Sequence, residues 1–100
     1  MNIGSALKDI RQNVAGRRQS EVAESLGISQ TYLSQVEGGK KIPSQEVVEK
    51  LCKAYKVPMP IVIWKGMELK DIDKSKQRAF GLIKPIIDDI LAGFLVNNFK

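Results

Sequence analysis

Apolar residues recur along the first two thirds of the chain at the three- and four-residue intervals of a helix face, and strand-like alternation is weak. Ile3, Leu7, Ile10 and Val14 make one such face, and Gly16 is the residue type that closes a helix. A second helix carries Val22, Ala23 and Leu26 and stops at Gly27. Ser29 is a good N-cap for a third, which carries Leu33 and Val36 and is stopped by Gly38 and Gly39. Pro43 followed by Ser44 opens a fourth, with Val47, Val48, Leu51, Ala54 and Tyr55 on one side. Val57, Pro58, Met59 and Pro60 break it, and Ile61 to Trp64 reads as a short apolar turn of helix that closes the core. Five helices with short connections predict a compact all-α bundle over residues 1–66.

After Gly66 the pattern changes. An acidic and lysine-rich run from Glu68 to Lys76 marks the expected boundary between a domain at 1–66 and a C-terminal helical extension at 67–100. At 100° per residue, Ala79, Phe80, Leu82, Ile83, Ile86, Ile87, Ile90, Leu91, Phe94 and Leu95 cover more than half the circumference of a helix. Lys84, Asp88, Ala92, Gly81 and Gly93 occupy the narrow remainder. A stripe that wide serves more than one contact surface. The simplest arrangement sets one edge on the N-terminal bundle and the other on a second copy, through Phe80, Ile83, Ile87, Ile90 and Phe94. The alternative is that all of these residues close the monomer's own core. Pro85 predicts a break or kink near Lys84, with Asp88 and Asp89 then favourable near the positive end of a new helix.

Charge narrows the choice of partner. The 100 residues hold 16 Lys and Arg against 11 Asp and Glu, a net of +5, and ten of those cations with six of the anions fall in residues 1–66. A polyanion is therefore a candidate partner. Cys52 is the single cysteine and there is no histidine, which argues against zinc, other metals and a disulfide-stapled secreted fold. The N-terminus lacks the long apolar core of a signal peptide, and no stretch reaches the roughly 18 apolar residues of a membrane span. A soluble protein of a reducing cytoplasm is expected, with no cofactor. Catalysis is not expected either: no nucleophile stands beside a base, and Gly38-Gly39-Lys40 lacks the spacing and the preceding strand of a phosphate loop.

The informative stretch runs from Gln19 to Ser44. Two short helices meet at Leu26-Gly27-Ile28-Ser29, where Gly27 can turn the chain sharply and Ala23 is small enough for the helices to touch. This segment resembles the lambda-repressor-like, Cro/xenobiotic-response-element family of helix-turn-helix DNA-binding domains. Gln19, Ala23, Leu26-Gly27-Ile28-Ser29, Leu33, Val36-Glu37, Gly39-Lys40 and Pro43-Ser44 fall at the positions of that family's pattern, and the resemblance extends from about Ile3 to Trp64. It departs at one place. Gly16-Arg17-Arg18 stands where the family has a glycine, an apolar residue and a Ser or Thr cap, with one extra residue upstream, so the second helix lacks an evident cap and Val14 is the alternative occupant of the apolar slot. PMPIVIW followed by a hydrophobic tail also looks like a group of small bacterial regulators of this family, which implies a bacterial or phage origin.

A helix fits the major groove, and the N-terminal residues of a recognition helix point at base edges. With Leu33 and Val36 inward, Gln30, Thr31, Ser34 and Gln35 are left outward as candidate base readers: glutamine pairs bidentately with adenine, and the threonine methyl suits thymine. Phosphate contacts are expected at the ends of the motif. Gln19 resembles the family's phosphate-touching glutamine at a helix start, and Ser29, Tyr32, Lys40 and Lys41 are placed for the same task. Arg17 and Arg18 are candidates for further phosphate charge, with simple solubility as their alternative. The resemblance also implies a pairing of Arg11 with Glu37 that orients the recognition helix.

These readings point to a sequence-specific regulator that occupies operator DNA as a homodimer, whether as repressor or activator. The alternative is an antitoxin or adaptor that uses the same fold and holds a partner protein through its apolar C-terminal helix. Membrane-surface binding is disfavoured, because the polar edge of that helix carries two aspartates where anionic lipid would favour lysines.

Overall fold

The computed structural model describes residues 1–98, with side chains through Leu95, and the fold of these residues is all-helical. Helix α1 (Ile3–Asp9) starts from Asn2, whose side chain accepts from the Ser5 N–H at 3.0 Å. It runs straight into a π-helical turn, Ile10–Ala15, that ends in the left-handed conformation at Gly16, φ 61°. A π turn places one more residue in a turn than an α-helix does. It absorbs the extra residue noted upstream of Gly16 and lets Ile10, Arg11 and Val14 all face inward.

Helix α2 (Gln19–Leu26) has no side-chain cap at Arg18, as the missing Ser or Thr foretold. Gly27, at φ 69°, turns the chain. Most side chains are strained at that angle, so the corner between α2 and α3 depends on glycine. Helix α3 (Gln30–Glu37) begins under the Ser29 cap, whose hydroxyl accepts from Tyr32 N–H at 3.0 Å. Helix α4 (Gln45–Tyr55) begins under Ser44 in the same way, at 3.2 Å from Val47 N, and ends with Lys56 in the left-handed region. Helix α5 (Met59–Gly66) starts two residues earlier than the apolar turn expected from sequence. Pro58 precedes it and Pro60 sits in its first turn, where no N–H is required of a helix, so these prolines open α5 rather than separate it from α4.

Among the described residues the core is one cluster. Leu7, Ile10, Val22, Leu33, Val36, Leu51 and Val62 are fully buried, and Leu95 from the C-terminal helix joins them. Gly4 allows α1 to lie directly on α3, because a Cβ there would strike the Val36 carbonyl oxygen.

Helix α6 (Gln77–Asn98) is one unbroken helix through Pro85, where a break or kink had been expected. Proline removes the N–H that would pair with the carbonyl of Gly81 and crowds that carbonyl with its ring, but Gly81 is exposed, so the carbonyl has room to tilt outward and water can take the lost partner's place. Lys84 and Asp88 are also not on a solvated edge. Trp64 Nε1 donates to Asp88 Oδ1 at 2.9 Å, Lys84 Nζ donates to the Trp64 carbonyl at 3.0 Å, and the ammonium lies 4.9 Å from the indole centroid. Phe80 closes this clasp edge-on to Trp64, at a centroid distance of 5.7 Å. The clasp and Leu95 fix one side of α6 to the bundle, while Leu82, Ile83, Ile86, Ile90 and Phe94 are exposed on the other. Phe80 and Ile87, read from sequence as interface residues, are half-buried.

Candidate nucleic-acid interface

The outward face of α3 follows from its inward one. Leu33 and Val36 are fully buried and Glu37 nearly so, which turns Gln30, Thr31 and Ser34 into solvent and leaves Gln35 half-exposed. Together with Gln19 and Lys40 these four residues line an open polar groove of about 440 Å³. Gln35 also has a backbone role: its carbonyl accepts from the N–H groups of Lys40 and Lys41 at 2.8 and 3.2 Å, which folds the loop after α3 back on the helix end.

Beneath this face lies a buried ion pair. Arg11 Nε donates to Glu37 Oε2 at 2.7 Å and Nη2 to Oε1 at 3.0 Å, a two-pronged contact. The third prong, Nη1, donates to the Arg17 carbonyl at 2.9 Å and fixes the strand of chain leading into α2. Hydrogen bonding to Glu37 holds the Arg11 guanidinium above even its ordinary value, so the guanidinium stays charged. Removing one partner of such a pair costs about 3–5 kcal/mol, because the other charge is left buried alone.

The network continues to the surface. Gln19 Nε2 donates to Glu37 Oε1 at 2.9 Å, and Gln19 Oε1 accepts from Gln30 Nε2 at 3.4 Å. Because Glu37 accepts and cannot donate, the Gln19 amide is oriented with its oxygen toward Gln30. The side chain expected to touch phosphate is thus held between the ion pair and Gln30, the first of the candidate base readers. The sequence placed Gln19 at the helix start but gave no sign of these two contacts. The only available signal was that Gln19 and Gln30 each open one of two consecutive helices.

The other phosphate candidates are dispersed. Ser29 is committed to capping α3, and Tyr32 is half-buried with its ring against the core. Lys40 borders the groove, whereas Lys41 borders a separate depression of about 280 Å³ that it shares with Ile42, Pro43 and Glu68. Arg18 is exposed, with Glu21 at 3.8 Å, and Arg17 is half-buried. Ile42 protrudes between Lys41 and Pro43 at 94% exposure, a feature without any signal in the apolar periodicity.

Two helices joined at a glycine corner, the second presenting polar side chains from a buried apolar seam, define a helix-turn-helix. The helix-turn-helix family, of Cro/C1 type, matches residues 7–62, and the chain belongs to it. It is similar to the transcriptional regulator ClgR of Mycobacterium tuberculosis, 36% identical over 61 residues, or 61% of this chain and 54% of that protein. It is also similar to the ImmF control region 10 kDa protein of Bacillus phage phi105, 29% identical over 73 residues, or 73% of this chain and 78% of that one. The chain therefore spans about half the length of the mycobacterial relative. No solved structure matches it. Among the described residues no helix is long and apolar enough to cross a membrane.

Proposed function

We propose that the chain is a cytoplasmic DNA-binding transcriptional regulator that lays α3 in the major groove and occupies its operator as a homodimer. The observation that carries this reading is the row of exposed Gln30, Thr31 and Ser34 and half-exposed Gln35, held out from a buried seam and braced through Gln19 by the Arg11–Glu37 pair. Membership of the helix-turn-helix family and similarity to a protein named as a transcriptional regulator support it. Gln30 and Gln35 read adenines, Thr31 and Ser34 make shorter-range base contacts, and Lys40, Lys41, Arg17 and Arg18 neutralise phosphates.

In this reading Gln19 acts on Gln30 and on the backbone together: its amide oxygen orients the reader, and the uncapped N–H groups opening α2 face the phosphates with Ser29 and Tyr32 at the neighbouring helix start. A domain with so few base contacts gains specificity by pairing, so two half-sites lie one or more helical turns apart. Selection of bound duplexes from a random pool tests the whole reading. The expected product is a pseudo-palindrome with A·T pairs under the glutamines; a pool that never departs from random sequence would overturn it.

A further inference from the structure

We propose that the exposed ridge of α6 seats the α6 of a second copy, antiparallel, across a two-fold axis at Ile86. The inference rests on the homodimeric reading above and names its surface, orientation and centre. Leu82, Ile86 and Ile90 are 66%, 61% and 65% exposed, on a helix whose opposite side is clasped to the bundle through Trp64, Lys84 and Asp88. Spaced four apart, they form one continuous apolar row along the helix. Exposure is nearly symmetric about Ile86, and an antiparallel two-fold there sets Leu82 of each copy on the partner's Ile90. The same operation opposes Ala79 to the partner's Gly93, and both are small enough to let the two backbones approach.

Charge selects the orientation. Arg78 and Asp89 are eleven residues apart, which puts them on the same edge of the ridge, and both are exposed without a described ion pair. In an antiparallel pair like edges meet, so the Arg78 end of one copy runs beside Asp89 of the other, twice, within about one Debye length of ~8–10 Å. A parallel two-fold would instead set that charged edge against the partner's Phe80 and Ile87. A free lipid-facing role fits the ridge less well, because Asp89 borders it where an anionic surface would repel the carboxylate.

Single cysteines in a Cys52→Ala background of the full chain test the proposal without DNA. Mild oxidation is expected to link Ile86→Cys to itself, and to link Leu82→Cys with Ile90→Cys when the two are mixed, while neither of those two links to itself. Sedimentation is expected to show a dimer for the unaltered chain and a monomer for Ile86→Glu, with helix content by circular dichroism unchanged. A monomer of the unaltered chain, a dimer that survives Ile86→Glu, or Leu82→Cys linking to itself would each overturn the proposal. Binding of Ile86→Glu to a single half-site duplex separates the two readings: retained half-site binding with lost dimerisation is expected, whereas absent half-site binding by the intact chain indicts the DNA-reading face instead.

Discussion

Among the described residues the buried hydroxyl of Tyr55, close enough to the Arg11–Glu37 pair to feel both charges, finds no hydrogen-bond partner. Burial pushes its phenol well above the ordinary value, with Glu37 acting in the same direction, so it stays neutral at any working pH. An unsatisfied buried group costs about 1–3 kcal/mol. Tyr55→Phe is therefore expected to leave stability unchanged or to raise it, by up to a few degrees in Tm; a clear fall in Tm would show that the hydroxyl has a partner in solution. Gly4→Ala is expected to do the opposite, because the new Cβ meets the Val36 backbone carbonyl and neither helix can yield without opening the core. A loss of about 1–3 kcal/mol in urea unfolding checks this. At this scale the sequence was only partly legible. The Ser29 and Ser44 caps and the left-handed Gly16 and Gly27 follow from local chemistry, whereas Gly4 and the contacts of Gln19 depend on which helices end up touching.

The helices themselves were the most readable feature, because their apolar spacing and caps agree. The exceptions have physical reasons. Local preference at Pro85 favours an ended helix, but the Trp64–Lys84–Asp88 clasp and buried Leu95 hold α6 to the bundle on both sides of the proline. Lys84 and Asp88 read as solvated because charge in a helix usually is; here an indole supplies both a hydrogen-bond donor and a ring face for them. The C-terminus of α4 also departs from the usual residue choice. Lys56 adopts φ 57°, a conformation that costs a side chain about 1–2 kcal/mol and glycine little. Lys56→Gly is thus expected to stabilise the fold by about 1 kcal/mol, seen in thermal unfolding as a rise of roughly 4–8 °C. No change or a fall would mean that the lysine makes a compensating contact at the helix end.

At the scale of the molecule, a polar α3 face and a clasped helix are built on one core, and the two faces are independently testable. The face of α3 was legible because Leu33 and Val36 fix what points inward. The exposed face of α6 was not resolved by its sequence, since ten apolar residues spread around more than half a helix do not say which of them the monomer covers. Binding should be strongly electrostatic: if one subunit neutralises about four phosphates, log K falls with log salt at a slope near −3.6, and about twice that for a dimer.

The most direct measurement compares the affinity of the intact chain and of the Gln30→Ala, Gln35→Ala double variant for a selected operator and for a scrambled duplex, across a salt series. The intact chain is predicted to prefer the operator at every salt concentration, and the double variant to lose that preference while keeping nearly the same salt slope. A double variant that discriminates as well as the intact chain would contradict the assignment of base reading to α3.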